Sequence, residues 1–508
     1  MDTTQKEFLG HPKGLYVLFF TEMWERFSFY GMKALLIFYL TKYHLFADSA
    51  GNLLVGSYAA LVYAMPVLGG YLADRYLGFR KAVTFGAILL VLGHLGMAYE
   101  GHAASTVNGI VQQDTTALQF FYFSLSLIVM GVGFLKANIS SIVGELYEKH
   151  DVRKDSGFTI FYMGINLGSF LATIICVWLG ETYGWSYGFG AAGIGMLLGL
   201  AVFLSGKKYF AGKAEPKEPE ILRKKVAGIM STENFIYTSS VLGTFVVWQM
   251  IQRHSIVEVL LLVSGILSLI YIIWYAVTKL DTVERNRLIA LTVLILFSVV
   301  FWALFEQAYT SLNLFADRVV DRHVLGIELK AGQVLSLNSL FIICFAPVFA
   351  WLWMKLNKVR ANPNAAVKFS IALLFAGIGF GMLVLGGNAS GDGKVALIWL
   401  VLTYLFHTFG ELCLSPVGLS SVTKLSPGKI VGFMMGVWFL ATAGSEYISA
   451  LLANIASIDH SGEAAADLVT AKASYMYLFN AMFYTGIIAG VVLLILSPLI
   501  KKLMHGVK

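Results

Sequence analysis

Seven charged residues sit inside apolar runs, where a bilayer makes them costly. Glu22, Glu25, Arg26 and Lys33 share one run, Lys136 lies in a second, Glu306 in a third and Glu411 in a fourth. An ionisable side chain at mid-membrane costs about 2.5–3.5 kcal/mol on insertion scales, so each needs a partner or a wet cavity. Glu22, Arg26 and Tyr30 recur every four residues and Lys33 follows three later, so all four lie on one helix face. Such a stripe can hold protons and grip a polar solute. Lys136 with Glu411, and Lys33 with Glu306, are expected to neutralise one another across a central cavity. Protonating either carboxylate would release its lysine and shift a gate. The plainer alternative is a pair of static bridges holding two halves together.

The elements that must carry these charges are helices. The chain of 508 residues is 57% hydrophobic and 13% charged, where a soluble domain has about 25% charged residues. Spanning helices need about 20 mostly apolar residues. Runs of that length fall at 15–44, 52–73, 79–99, 118–145, 155–179 and 185–205, then 233–251 and 255–279, then 285–315, 328–356, 366–386, 395–424, 430–456 and 475–502. The expectation is an all-α membrane protein of fourteen spans, arranged six, two, six. Its segments are a first bundle at 1–205, a hydrophilic linker with two additional helices at 206–284, and a second bundle at 285–508. Leaving out the inserted pair, Lys136 and Glu411 lie on equivalent fourth and tenth helices, and Lys33 and Glu306 on the first and seventh.

Lys and Arg cluster in alternate loops: Arg75, Arg80 and Lys81; Lys149, Arg153 and Lys154; Lys207 to Lys225; Lys279, Arg285 and Arg287; Lys355, Lys358 and Arg360; Lys424 and Lys429; Lys501 and Lys502. Between Lys81 and Lys136, and between Lys154 and Lys207, there are none. By the positive-inside rule both termini are cytoplasmic. The net charge of +7 is therefore a topology signal and points away from nucleic acid. The first apolar run is too long for a cleaved signal peptide.

Other chemistries find little support. Cys176, Cys344 and Cys413 lie in apolar segments and form neither a disulfide framework nor a zinc motif. Gly188-Phe-Gly190-Ala-Ala-Gly193 fits GxGxxG without a preceding strand and is read as helix packing. No GxxxxGK[ST] or HExxH occurs, no nucleophile–base set is discernible, and no cofactor is expected. His94 and His407 are read as packing or hydrogen-bonding residues rather than proton shuttles. The inserted helices, with only Gln249 and Glu258 as polar marks, are read as peripheral. A passive channel remains the alternative from another class.

Two resemblances sharpen this. Gly70-Tyr71-Leu72-Ala73-Asp74-Arg75-Tyr76-Leu77-Gly78-Phe79-Arg80-Lys81 resembles the GxxxDRxGRR signature of the major facilitator superfamily, which implies that fold and an Asp–Arg lock at a cytoplasmic gate. Glu22-Met-Trp-Glu25-Arg26-Phe27-Ser-Phe29-Tyr30-Gly31 resembles the ExxERFxYYG motif of proton-coupled oligopeptide transporters. Gly131-Val-Gly133-Phe-Leu-Lys136-Ala-Asn138-Ile139, Phe161-Tyr162-Met-Gly-Ile165-Asn166-Leu-Gly168-Ser169, Phe301-Trp302-Ala-Leu-Phe305-Glu306-Gln307 and Gly410-Glu411-Leu-Cys-Leu-Ser415-Pro416 resemble four further motifs of that family, in order.

The resemblance implies uptake of di- and tripeptides with protons by a bacterial inner-membrane carrier. Carried over, Glu22, Glu25, Arg26 and Glu306 would serve proton coupling. Arg26, Lys33 and Lys136 would meet the peptide carboxylate, and Glu411, Asn166 and Asn338 its amino group. Tyr30, Tyr63, Trp302, Phe305, Trp438 and Phe439 would line side-chain pockets, with Ser415 beside them. Relatives that carry nitrate or other anions are the runner-up. Phe29 replaces a usual Tyr, Lys33 replaces an Arg that could clamp a carboxylate bidentately, and Gly56 falls where animal members carry His. Preferred peptides, proton stoichiometry and oligomeric state are not legible at this level.

Overall fold

The computed structural model describes residues 7–148, 151–226, 228–457 and 467–507, so Lys149 of the basic loops lies outside the described residues. Lipid offers backbone groups no hydrogen bonds, so spanning segments must satisfy them internally as helices. The long helices are α1 Lys13–Phe38, α2 Asp48–Leu72, α3 Phe79–Met97, α4 Thr115–Glu145, α5 Lys154–Tyr183, α6 Trp185–Gly206 and α7 Thr232–Gln252. There follow α8 His254–Thr278, α9 Thr282–Phe305, α10 Ser336–Lys358, α11 Ala365–Ala389, α12 Leu397–Leu425, α13 Val431–Ala453 and α14 Leu468–Leu503. Strands among the described residues are confined to pairs of two or three residues in the connections.

Twelve of these elements are long and apolar enough to cross a membrane. The expectation of fourteen spans is met on that measure only as far as twelve. Helix α1 falls short because Glu22, Glu25, Arg26 and Lys33 interrupt it, and α7 because Thr, Ser, Asn and Gln dilute it. Helix starts follow local chemistry: the side chains of Asp114, Ser231, Asp281, Asn364 and Asp467 accept backbone N–H groups at the first turns of α4, α7, α9, α11 and α14. The run at 285–315 is not one helix. It breaks after Phe305 into a tight 3-10 turn, Glu306–Tyr309, and resumes as Ser311–Arg318.

The chain forms two compact units, one running to Leu45 and from Leu61 to His254, the other comprising Phe46–Ala60 and everything from Ser255. The inserted pair is divided, α7 going with the first and α8 with the second. In the first unit α1 packs on α5 and α6, and α3 on α4 and α6. Glycine permits these approaches: a Cβ on Gly168 of α5 would strike the Met23 carbonyl of α1, and one on Gly86 of α3 the Gly131 carbonyl of α4. In the second unit α11 packs on α12 and α14, α9 on α13 and α14, and α10 on α12. Free Cys176 and Cys413 are buried and Cys344 is exposed.

Candidate functional site

In the first unit the acidic stripe closes on itself. Arg26 Nε lies 2.8 Å from Glu22 Oε1 and 2.7 Å from Glu25 Oε2, and all three side chains are almost completely buried. One guanidinium thus lies between two buried carboxylates, an arrangement in which a carboxylate can bind and release a proton. The Phe29 ring lies 5.7 Å from the Arg26 guanidinium carbon, a cation–π face that Tyr would also offer, so the departure from Tyr removes only a hydroxyl. Lys33 is buried on the same helix. From α4, Lys136 places its ammonium 3.6 Å from the centre of the Tyr63 ring and within electrostatic reach of Glu25. Asn166 donates to the Tyr162 carbonyl of its own helix at 3.1 Å, and Tyr30 is half-buried.

The backbone explains why α1 can hold this cluster. Gly164 and Gly168 of α5, one turn apart, admit Phe19 and Met23 of α1 at a distance no larger residue would allow. The FYxxINxGS stretch thus seats the segment that carries Glu22, Glu25 and Arg26.

In the second unit, Asn338 of α10 donates to Glu411 Oε2 at 2.9 Å and to Thr408 Oγ at 3.1 Å, while Thr408 donates to the Tyr404 carbonyl at 2.7 Å. Glu306 sits at the break after α9, buried and within electrostatic reach of Glu411. Gln307 fixes that break: its amide donates to the Ser449 carbonyl at 2.8 Å and to Ser449 Oγ at 3.0 Å, and it accepts from Ser311 at 2.6 Å. Trp302 and Phe305 stand edge to face at 5.3 Å. Trp438 packs its indole on the backbone of Gly418, and Ser415 and Phe439 are half-buried. His407 is buried with Nε2 3.2 Å from the Ala376 carbonyl, and His94 is buried in α3.

The signature loop after α2 departs from expectation. The partner of Asp74 is not an arginine but Lys217 of the linker, at 2.6 Å. Arg80 pairs with Glu215 (Nη2 to Oε2, 2.9 Å) and Lys81 with Glu233 at 2.7 Å. The Asp–Arg lock is thus replaced by an exchange of charges with the linker and α7. Hydrogen bonding to Asp74 pushes the Lys217 ammonium above its ordinary range.

Sequence reasoning also missed a bidentate pair in the second unit. Arg318 Nη1 and Nη2 lie 2.6 and 2.8 Å from the two oxygens of Asp48, which is buried. Beside it Asn52 donates to Asn454 at 3.1 Å. Both charges fall at the ends of apolar runs, where charge ordinarily marks a loop, so nothing local singled them out.

The pattern of the POT family matches residues 80–466 of the chain. The chain belongs to the POT family. Among relatives of this POT-family chain, an uncharacterised transporter of Bacillus subtilis is 40% identical, the match covering 99% of this chain and 97% of that protein. A di-/tripeptide transporter of Lactococcus lactis is 34% identical over 100% and 99%. A solved structure of a POT peptide transporter in complex with sulfate superposes with a TM-score of 0.82 at 38% identity, covering 99% of this chain and 98% of that one. The family read from the five motifs is thereby borne out, and with it an all-helical, multi-pass membrane fold of POT type. That family is one of transporters.

Proposed function

We propose that this protein carries di- and tripeptides across a bacterial inner membrane together with protons, by alternating access, with α1 and α7 also crossing the bilayer and both termini cytoplasmic. The observation that carries the reading is the division of buried and half-buried charge between the two units. The first unit presents Arg26, Lys33 and Lys136 beside the Glu22–Glu25 pair, and the second presents Glu306 and Glu411, the latter held by Asn338. A peptide is a zwitterion with termini at a set separation. The basic residues suit its carboxylate, and Glu411, Asn338 and Asn166 suit its ammonium. Tyr30, Tyr63, Trp302, Phe305, Ser415, Trp438 and Phe439 are assigned to the variable side chains. Relatives named as di-/tripeptide transporters support the same substrate class.

Glu22, Glu25, Arg26 and Glu306 are assigned to proton coupling. Protonating a carboxylate removes its hold on a neighbouring cation, so binding of the proton and of the peptide draw on the same charges. One proton moving through 100 mV contributes ~2.3 kcal/mol and one pH unit ~1.4 kcal/mol. Together these support roughly 500-fold accumulation. The test is uptake of labelled dialanine by proteoliposomes with and without an imposed proton gradient. Accumulation only with the gradient is expected. Flux that neither saturates nor depends on the gradient would mean a channel, and nitrate uptake in place of dialanine would move the chain to an anion carrier.

A further inference from the structure

The inserted helix α8 is pinned to α13 at two places. Tyr447 donates to Glu258 Oε2 at 3.1 Å near one end, and the rings of Tyr271 and Phe433 meet edge to face at 4.7 Å toward the other. From Glu258 to Tyr271 the helix runs ~20 Å. Between the pins the two helices stand apart. Gly265 of α8 and Gly444 of α13 each have no atom within 4 Å of where a Cβ would lie. Glycines in membrane helices usually let backbones close up; these two widen a gap.

That gap is a groove of about 170 Å³ between α8, α9 and α13, walled by Leu261, Leu269, Ile295, Val437 and Leu440. The Thr292 hydroxyl donates to the Leu288 carbonyl of its own helix, and Ser268 is the other hydroxyl residue in a lining that is otherwise apolar. An empty groove forfeits dispersion contact along its walls, and water finds too few polar partners there to stay. Only 11% of the apolar stretch of α8 is buried against protein, so the groove opens to lipid. At the end nearer Tyr271 stand Trp274 and Tyr275, with Lys279 Nζ 5.8 Å from the Trp274 ring centre. Aromatic rings beside a basic residue are the usual furniture of the headgroup level, and on the orientation proposed above this is the cytoplasmic end.

We propose that this groove is a binding site for an anionic phospholipid, one acyl chain lying over Gly265 and Gly444 and the headgroup phosphate meeting Lys279. One molecule satisfies both ends, since the apolar trough calls for a chain and the basic mouth for an anion. The inserted helix α8 then serves as one wall of a lipid site.

The experiment is native mass spectrometry of the full chain after exchange into phosphatidylglycerol or phosphatidylethanolamine vesicles, then release into detergent. Wild-type protein is expected to retain phosphatidylglycerol in preference to phosphatidylethanolamine. Gly265→Leu and Gly444→Leu place a side chain in open space, so both should melt as wild type yet lose retention about tenfold. Lys279→Gln should keep the chain but reduce the preference for phosphatidylglycerol about fivefold, ~1 kcal/mol for one basic residue at an anionic surface. Undiminished retention in both leucine variants overturns the site. Equal retention of the two lipids by wild type overturns the assignment of Lys279.

Discussion

Replacing Glu411 with Gln isolates the contact assigned above to the peptide ammonium. The carboxylate is half-buried and accepts from Asn338 at 2.9 Å, and an amide of the same shape keeps that position filled. What disappears is the charge. A hydrogen bond to a charged group contributes about 1.5–3 kcal/mol and a neutral one about 0.5–1.5 kcal/mol, so the difference for a peptide ammonium is ~1–2 kcal/mol. Part of this is screened by water at a half-exposed carboxylate, which places the expected loss of apparent affinity at roughly 5–20-fold. The assay is counterflow exchange of dialanine in proteoliposomes at equal internal and external pH, which reads substrate binding and carrier turnover without net proton movement. The control is N-acetyl-dialanine, which has no ammonium to lose. Free dialanine should weaken on substitution while the acetylated peptide, already weak, should not change further. An equal loss for both, or none for either, would refute the assignment of Glu411 to the amino terminus.

Three other outcomes are expected. Asp48→Asn or Arg318→Gln alone should destabilise the purified protein by roughly 3–5 kcal/mol, because each removes the opposite charge from a largely buried ion, whereas exchanging the two residues should restore much of the loss; a swap that melts no higher than the single variants would count against the pair. Gly168→Ala should cost about 1–3 kcal/mol by overpacking and depress uptake, since the α1 segment displaced carries Glu22, Glu25 and Arg26. Gly144→Ala, whose new Cβ meets its nearest neighbour only at 3.8 Å, should do neither, and equal effects at the two glycines would remove the packing argument. Backbone N–H groups of Ala117 and His102 hold the Asp114 carboxyl below its ordinary value of 3.8. Its folded pKa is depressed, so its stabilisation of the start of α4 is present above 3.8 and lost as pH falls through the lower folded value. Melting curves of Asp114→Asn should therefore show a shallower acid-side decline than wild type, and parallel declines would exclude the cap as the cause.

The sequence by itself determined what depends on local pattern. Apolar runs near 20 residues can only be helices in lipid, so a helix lies at each run read from the sequence, although the ends of α1 at Phe38 and α9 at Phe305 and the starts of α10 at Ser336 and α14 at Leu468 fall well away from the expected bounds. The cost of burying charge picked out Glu22, Glu25, Arg26, Lys136 and Glu411 as residues that must have work to do. Tertiary structure decided whom each residue meets. Nothing local distinguishes Asp48 and Arg318 from ordinary loop charges, because at a separation of 270 positions no periodicity along the chain reports contact. Asp74 found Lys217 instead of an arginine because the linker folds back to offer opposite charge at hydrogen-bonding distance. The helix expected at 285–315 broke at Glu306 because Gln307 finds Ser449 on α13, a partner visible only once the helices are packed. Period and hydropathy are properties of neighbours along the chain, whereas a hydrogen bond or ion pair is a property of neighbours in space.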